Sequence, residues 1–347
     1  MTRRVVVERR AGREMAALLI DGELEDFLID PVGGNEFAHG AVFRAVVDRS
    51  LKSQGGAVAR LPGGQRAFIR GGGGLAAGST ALVQISSYAE SGKAIPATQN
   101  VRFKRRFAIS VVNRPGTNLA RSISSTQRRA YLANFAKTLC REAPENVGLI
   151  LRSAAADADD EEIAADIELV LGEADIALSG ASGNSPKMLL PGPRASEIAR
   201  RDWFRTNALN LYAEGFDNFG IWELLDKYRG DKFEMQNGSL MYIQETKAIV
   251  AVDVNTGGDH STRSGLKANL NAARILPRIL RIKGLGGQIV VDFAPAPKNT
   301  RDSIVDALRN SLRHDLVETS LAGWTPLGNF ELQRKRLRFP LSESWPE

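Results

Sequence analysis

Residues 248–255, Ala-Ile-Val-Ala-Val-Asp-Val-Asn, and residues 286–293, Gly-Gly-Gln-Ile-Val-Val-Asp-Phe, decide the fold of this chain. Each stretch is a β-branched apolar run that ends at an acid, Asp253 in the first and Asp292 in the second. Because β-branched residues favour strands, the pattern predicts two strands that present both carboxylates at one rim of a sheet. Two such carboxylates can hold a hard cation, whereas either aspartate taken alone could simply begin a turn.

The residues around this pair favour the metal hypothesis. Asn255 follows Asp253 at a spacing of two, which places both side chains on the same face of an extended chain. No acidic residue occurs between Asp259 and Asp292. That interval instead contains six cations, Arg263, Lys267, Arg274, Arg278, Arg281 and Lys283. A positive surface beside paired acids is typical of a site for a polyanionic substrate.

Three consecutive motifs closely resemble the catalytic core of the ribonuclease E/G family. They are Asp-Val-Asn-Thr-Gly-Gly at 253–258, Asn-Leu-Asn-Ala-Ala at 269–273 and Gly-Leu-Gly-Gly-Gln-Ile-Val-Val-Asp-Phe at 284–293. The family consists of bacterial endoribonucleases that cut single-stranded RNA. The resemblance implies an α/β (α+β multidomain) fold: an RNase H-like and DNase I-like core, an inserted OB-fold barrel and a small 5′-sensor-like α/β region.

The resemblance also predicts where the domains begin and end. Residues 1–35 and 195–233 are assigned to the RNase H-like subdomain, and residues 36–107 to the OB-fold. Residues 108–194 are assigned to the 5′-sensor-like region with its linker, and residues 234–347 to the DNase I-like catalytic subdomain.

A basic barrel is predicted over residues 36–107 from the residues themselves. This segment has eleven Lys or Arg and three Asp or Glu, an excess of +8, and it alternates short apolar runs with glycine-rich turns. Phe68 either stacks on bases outside such a barrel or lies in its core. The resemblance favours stacking, because Phe68 matches the family's second RNA-stacking aromatic, and Lys93 matches a lysine proposed to contact RNA. The first aromatic is missing, with Val58 or Ala59 in its place.

Arg152 and Ser153 follow the strand-like run 147–151. In the family, an Arg-Thr pair at this point holds the 5′-monophosphate of the RNA. A guanidinium can bind phosphate bidentately and a serine hydroxyl can donate to it, so the chemistry is retained here. A further family arginine is replaced by Glu318 or Thr319, which weakens the predicted pocket, and Arg152 could also be an ordinary cation at a strand end.

Local patterns predict several other elements. Asp21-Gly22 between two apolar runs indicates a β-hairpin. The Gly-, Ser- and Pro-containing stretch 178–196 indicates a loop or linker. A helix is expected over 266–283, interrupted by a kink at Pro277. The four cations in 334–338 indicate either a phosphate patch or a solubilising surface.

Composition limits the class of protein. At 347 residues the chain should hold two or more cores, and a single cysteine, Cys140, excludes an internal disulfide framework and a cysteine-rich zinc site. No apolar run is long enough to span a bilayer, and the N-terminus lacks the apolar core of a signal peptide, so a cytoplasmic location is expected. The net charge of +6 favours an anionic partner.

These observations predict a Mg²⁺-dependent endoribonuclease acting on single-stranded RNA, in rRNA or mRNA processing and decay. Asp253 and Asp292 would hold Mg²⁺, for which Mn²⁺ could substitute. The resemblance implies that Asn255 corresponds to the family's catalytic amide. The family's zinc-binding Cys-Pro-x-Cys motif and long scaffold arm do not occur in the sequence. A short form is therefore expected, without zinc or a zinc-linked oligomer, as a monomer or a dimer through another surface. A non-catalytic RNA-binding protein and a metal-dependent DNA nuclease are the alternatives.

Overall fold

The computed structural model describes residues 2–90, 92–204, 211–212, 215–258, 261 and 263–345. The first strands are β1 (Arg3–Arg10), β2 (Arg13–Ile20), β3 (Glu23–Ile29), β4 (Val42–Leu51), β5 (Gly56–Arg60), β6 (Arg66–Arg70), β7 (Thr80–Ile85), β8 (Ile95–Thr98), β9 (Arg102–Lys104) and β10 (Ala108–Val112). The later strands are β11 (Gly116–Leu119), β12 (Val147–Leu151), β13 (Lys187–Leu190), β14 (Leu211–Tyr212), β15 (Lys232–Glu234), β16 (Leu240–Glu245), β17 (Val250–Asn255), β18 (Gly287–Asp292), β19 (Thr319–Trp324) and β20 (Phe330–Arg334). The α-helices are α1 (Thr126–Leu139), α2 (Asp160–Ser179), α3 (Ala195–Trp203), α4 (Ile221–Asp226), α5 (Ser264–Lys283), α6 (Arg301–Leu312) and α7 (Leu341–Ser344).

The chain forms two compact units, one from residues 1–32 and 209–347 and the other from residues 33–208. The first unit contains a sheet of order β14-β1-β2-β3 and a six-stranded sheet of order β15-β16-β17-β18-β20-β19. The predicted hairpin at Asp21-Gly22 is confirmed, since it joins β2 to β3 with both residues at positive φ, 50° and 86°. Positive φ at both central residues is what a tight hairpin turn requires.

The six-stranded sheet is buried on one face and open on the other. Alternate residues of β17 and β18 point towards α5 and α6, where Val252, Val254 and Val291 join the apolar core. The polar residues between them remain on the open face. The sheet therefore exposes the candidate site residues to solvent on one face, while its other face packs on the apolar core.

The helix α5 runs unbroken through Pro277, contrary to the predicted interruption. A proline lacks the N–H that would bond the carbonyl four residues earlier, which is that of Ala273. The Ser311 hydroxyl on α6 donates to that same carbonyl at 2.8 Å. A neighbouring helix thus satisfies the acceptor that the proline leaves unpaired, so the helix need not end.

The second unit combines a closed barrel with a second sheet. Strands β4, β5, β6, β8 and β7 form the barrel, which β4 closes by pairing with both β5 and β7. The second sheet has the order β11-β12-β10-β9 and packs with α1 and α2. A mixed architecture with a closed five-stranded, OB-like barrel agrees with the predicted α+β class. The RNase H-like and DNase I-like descriptions of the core stay predictions.

The stretch 178–196 is not only a loop, as its composition indicated. Residues Lys187–Leu190 form β13, which pairs antiparallel with β4 at the barrel. The sequence signal failed because Pro186, Pro191 and Pro193 surround a run of only four residues. An added strand of this kind obtains its hydrogen bonds from an existing strand, which local propensity does not reveal.

Candidate metal and RNA site

Asp253 and Asp292 lie side by side at the carboxyl ends of two adjacent parallel strands. In the β17–β18 ladder, Asp253 is paired directly with Asp292. Both side chains are exposed, whereas the preceding residues Val252 and Val291 are buried at 2% and 0% exposure. Neighbouring strands are about 4.8 Å apart, so one small cation can contact both carboxylates.

Asn255 belongs to the same cluster. Its Nδ2 donates a 2.6 Å hydrogen bond to Oδ2 of Asp253, two residues earlier on the open face. Tyr242 on β16 is paired with Asp253 and is half-buried on that face. The amide therefore fixes one carboxylate oxygen of Asp253.

The donor set suits Mg²⁺. That ion takes oxygen ligands, keeps several waters and is usually bound through only one or two carboxylates. The exposed positions of Asp253 and Asp292 give those waters room. No group of three acidic, histidine or cysteine side chains within metal-binding reach occurs among the described residues, and Asp259 lies outside them. The two aspartates are therefore the residues that would hold the ion.

A buried asparagine, which the sequence showed only as part of a motif, supports the end of the Asp292 strand. Asn269 on α5 is fully buried. Its Nδ2 donates to the carbonyl of Ala294 at 2.9 Å, and its Oδ1 accepts from the N–H of the same residue at 2.9 Å. Two bonds from one rigid side chain fix the backbone just beyond Asp292. The available signal was a polar residue on the apolar face of an amphipathic helix.

The same loop approaches the start of α5 closely. A Cβ atom added at Gly265 would lie 2.0 Å from the carbonyl oxygen of Pro295. Only glycine permits this contact. Helix α5 therefore supports the chain after Asp292 at two points, one through Asn269 and one through Gly265.

The predicted phosphate surface requires the basic residues of α5 to face solvent, but only some of them do. Arg281 is buried and pairs with Asp315 at 2.9 Å and Glu25 at 2.6 Å. Lys283 donates to the backbone carbonyls of Tyr228 and Gly230 at 2.9 and 2.8 Å. Arg263, Lys267 and Arg274 are the exposed cations of this segment.

The cationic run 334–338 is neither a phosphate patch nor a solubilising surface. Each of its cations pairs with an acid of the same unit, and Arg334 and Arg338 are buried. The pairs are Arg334 with Asp315 at 3.3 Å, Arg336 with Glu245 at 3.3 Å, Arg338 with Asp26 at 3.0 Å, and Lys335 with Glu318. The pairs of Arg334 and Arg338 are buried and organise the interior, whereas the Lys335–Glu318 pair is exposed. In all four pairs an acid offsets the positive charge, which leaves little of it for a ligand.

Phe68 lies on the outside of the barrel and not in its core. Strand β6 alternates, with Ala67 and Ile69 buried and Arg66, Phe68 and Arg70 facing outward. The Phe68 ring covers Gly56 on β5, where an added Cβ would lie 2.4 Å from the ring. An outward aromatic between two arginines has the arrangement of a nucleic-acid stacking surface.

The register shows which of Val58 and Ala59 shares the outer face of the barrel with Phe68. Val58 is paired directly with Phe68 and is half-buried on the same face. Ala59 is fully buried in the barrel core. Val58 is therefore the aliphatic neighbour of Phe68. Lys93 lies in the segment between β7 and β8, three residues before Pro96, which is paired with Phe68 in the β6–β8 ladder. Its exposed ammonium group pairs with Glu90.

Arg152 is engaged within its own unit. Its guanidinium donates to the carbonyl of Arg105 at 2.7 Å and lies 3.6 Å from Asp202. Burial lowers the pKa of Arg152, an effect that Asp202 partly opposes. Lys104 is exposed as a whole residue, yet burial of its charged group, and next the nearby Arg201, lower its pKa. The structure thus gathers cations around Arg152 but already supplies an acid to the guanidinium.

Ser153 follows Arg152, is exposed and begins a 3₁₀ turn over Ser153–Ala156. The two residues that could stand in place of the family's further arginine, Glu318 and Thr319, belong to the other unit and have partners there. Glu318 pairs with Lys335, and the Thr319 hydroxyl accepts a 2.7 Å bond from Arg334. Asp253, Asn255 and Asp292 thus form one cluster. Phe68, Lys93, Arg152 and Ser153 all belong to the other unit.

Comparison with known proteins defines the class to which this chain belongs. The family model described as the ribonuclease E/G family matches residues 103–215 and 204–337. The chain is a member of the ribonuclease E/G family.

The chain is also similar to individual curated proteins of that family. Ribonuclease G of Salmonella typhimurium is 32% identical over 128 residues, which is 35% of this chain and 26% of the relative. Ribonuclease G of Haemophilus influenzae is 23% identical over 298 residues, 75% of this chain and 60% of the relative. A chloroplastic ribonuclease E/G-like protein of Arabidopsis thaliana is 24% identical over 310 residues, 75% of this chain and 31% of the relative. The chain thus spans between 26% and 60% of the length of these relatives.

A membrane-crossing helix would need a long apolar stretch. None of the helices in the described part of the chain has the length and apolar character that this requires.

Proposed function

We propose that this protein is a Mg²⁺-dependent endoribonuclease that hydrolyses phosphodiester bonds of single-stranded RNA in the cytoplasm, in rRNA or mRNA processing and decay. The observation that carries the proposal is the direct pairing of Asp253 with Asp292 on adjacent parallel strands. Asn255 completes the cluster through its bond to Asp253. Membership of the ribonuclease E/G family supports RNA as the substrate in preference to DNA.

The residues divide the work of hydrolysis between them. Asp253 and Asp292 would hold Mg²⁺, which when bound neutralises phosphate charge and makes water a better nucleophile. Asn255 positions the Asp253 carboxylate by its 2.6 Å hydrogen bond and transfers no proton. Asn269 holds the chain beyond Asp292 and so keeps the two carboxylates in register. The rigid sheet maintains this geometry between turnovers.

RNA binding is assigned to the other unit. Phe68 would stack on a base, with the outward Arg66 and Arg70 beside it following the backbone. Lys93 would add a phosphate contact once it releases Glu90. Arg152 and Ser153 would bind a terminal 5′-phosphate, for which Arg152 must exchange Asp202 for the ligand. Competition with Asp202 predicts a weaker preference for 5′-monophosphorylated RNA than an unpaired arginine would give.

The experiment compares labelled single-stranded RNA, duplex RNA and single-stranded DNA, each incubated with the purified protein with and without Mg²⁺. We expect endonucleolytic cleavage of single-stranded RNA alone, lost on chelation. Asp253→Asn and Asp292→Asn should each abolish cleavage and leave RNA affinity within about twofold, because no carboxylate is needed for stacking. Asp306→Asn, which removes an exposed acid that pairs with Arg309 on α6, is the matched control and should cleave normally.

Three results would contradict the proposal. Cleavage that persists in Asp253→Asn would exclude the metal role of that residue. RNA binding without any cleavage by the wild-type protein would indicate the non-catalytic alternative. Preferred cleavage of DNA would indicate a metal-dependent DNA nuclease.

A further inference from the structure

A polar cleft lies between the barrel and the second sheet within residues 33–208. Its volume is about 310 Å³. One wall is the end of β6 and β8, and the other is the turn that follows β10. The polar residues that line it are Arg70, Thr98, Gln99, Asn100, Asn113 and Arg114.

The walls of this cleft are fixed by their own hydrogen bonds. The N–H of Val112 donates to the carbonyl of Val101 at 3.0 Å, which joins the end of β10 to the segment after β8. The N–H of Asn100 donates to Oγ1 of Thr98 at 3.1 Å. The Asn146 amide donates to Oδ1 of Asn113 at 3.2 Å, at a residue held in the left-handed region with φ 58°. The cleft is therefore formed before any ligand binds.

The charge of the lining has one sign. Arg70 and Arg114 are both exposed, and no acid occurs among the described residues that line the cleft. The main chain of Arg114 is set closely on β12, where a Cβ added at Gly148 would lie 2.0 Å from the Arg114 carbonyl. Two arginines and several amides in a fixed cleft suit an anion that needs both charge and hydrogen-bond donors.

The cleft continues the aromatic surface of the barrel. Arg70 follows Phe68 by two residues on β6 and shares its outward face, about 7 Å along the strand. That interval is close to the spacing of successive nucleotides in an extended single strand. A backbone leaving a base stacked on Phe68 can therefore enter the cleft at Arg70.

We propose that this cleft binds the phosphodiester backbone of single-stranded RNA next to the base held by Phe68, with Arg70 and Arg114 as the phosphate ligands. This inference rests on the proposed function and adds a second contact to the Phe68 surface. The contact is sequence-independent, because backbone phosphates carry no base identity.

The test measures RNA affinity against salt in the cleavage-silent Asp253→Asn protein. Each phosphate contact on a single strand contributes about 0.7 to the slope of log affinity against log salt. The Arg70→Gln/Arg114→Gln double variant should bind RNA more weakly, and the magnitude of its salt slope should fall by about 1.4. Each single variant should lower the magnitude of the slope by about 0.7. The matched control is Lys137→Gln/Arg141→Gln, which removes two exposed cations at the end of α1 and should leave the slope unchanged.

A second comparison separates this cleft from the aromatic surface. Phe68→Ala should weaken binding without changing the salt slope, because stacking releases no counterions. An unchanged slope in the double variant, measured on protein with a wild-type melting temperature, would overturn the inference. That outcome differs from failure of the proposed function, which would appear as a wild-type protein that does not cleave RNA.

Discussion

Asn269 supports the candidate site without being one of its metal ligands, so its loss should show how much that support contributes. Asn269→Leu keeps the approximate volume but removes both bonds to Ala294. The buried N–H and carbonyl of Ala294 would lose their partner, at about 1–3 kcal/mol for each unsatisfied group. We expect a free energy of unfolding lowered by about 2–6 kcal/mol, measured by urea denaturation, and a reduced kcat at saturating RNA.

The matched control for Asn269 is two residues further along the same helix. Asn271 is only partly buried and donates a long 3.3 Å bond to the carbonyl of Gln236. Asn271→Leu should change the free energy of unfolding by less than about 0.5 kcal/mol, as is usual at a surface position. If Asn269→Leu lowered RNA affinity and left kcat unchanged, Asn269 would not be a positioning residue for Asp292.

Residues at strand ends could be predicted from the sequence, and buried partners could not. Asp253, Asn255 and Asp292 stand out because a local pattern, an apolar run that ends in a polar group, specifies strand and position together. Asn269 lies 25 residues from Ala294 along the chain, so its hydrogen bonds depend on packing. The charges of 334–338 were misinterpreted for the same reason, because their acidic partners are distant in sequence.

At the scale of elements, helix α5 depends on Gly265, although glycine has a low helix propensity. Gly265→Ala would add a Cβ only 2.0 Å from the Pro295 carbonyl, so the helix or the loop after Asp292 must move. We expect a loss of about 1–3 kcal/mol in the free energy of unfolding, typical of overpacking, together with weaker cleavage. Chemical denaturation and a cleavage assay on the same preparation measure both effects.

The control for Gly265 is another glycine inside a helix. Gly172 on α2 is exposed, and a Cβ added there meets nothing within 4 Å. Gly172→Ala should therefore stabilise the protein by about 0.5–1 kcal/mol through helix propensity alone. A stabilising effect at both positions would show that α5 and the loop can separate without cost.

Elements with strong local signals were predictable, whereas those defined by partners were not. The Asp21-Gly22 turn needs only its own two residues. Strand β13 forms because it can hydrogen-bond to the backbone of β4. The continuity of α5 past Pro277 depends on Ser311 from another helix. In both cases the deciding hydrogen bond comes from a segment that the local pattern does not include.

At the scale of the whole molecule, the candidate cleavage site and the candidate RNA surface belong to different compact units. Asp253 is in the unit of residues 1–32 and 209–347, and Phe68 is in the unit of residues 33–208. Binding and cleavage should therefore be separable by mutation. Asp253→Asn should remove cleavage and retain RNA affinity. A variant with the opposite effect, lower affinity with cleavage retained, must change Phe68.

Phe68→Ala should weaken RNA binding by about 5- to 150-fold, the equivalent of one base stack of about 1–3 kcal/mol. Because the ring is half-buried on the outer face and not in the barrel core, the melting temperature should fall only slightly. Cleavage under saturating RNA should keep the wild-type kcat, since the Asp253–Asp292 cluster is unchanged. Phe68→Tyr retains the aromatic face and should bind as the wild type does. A fall in kcat as large as the fall in affinity would mean that base stacking also contributes to the transition state, and binding and cleavage would then not be independent.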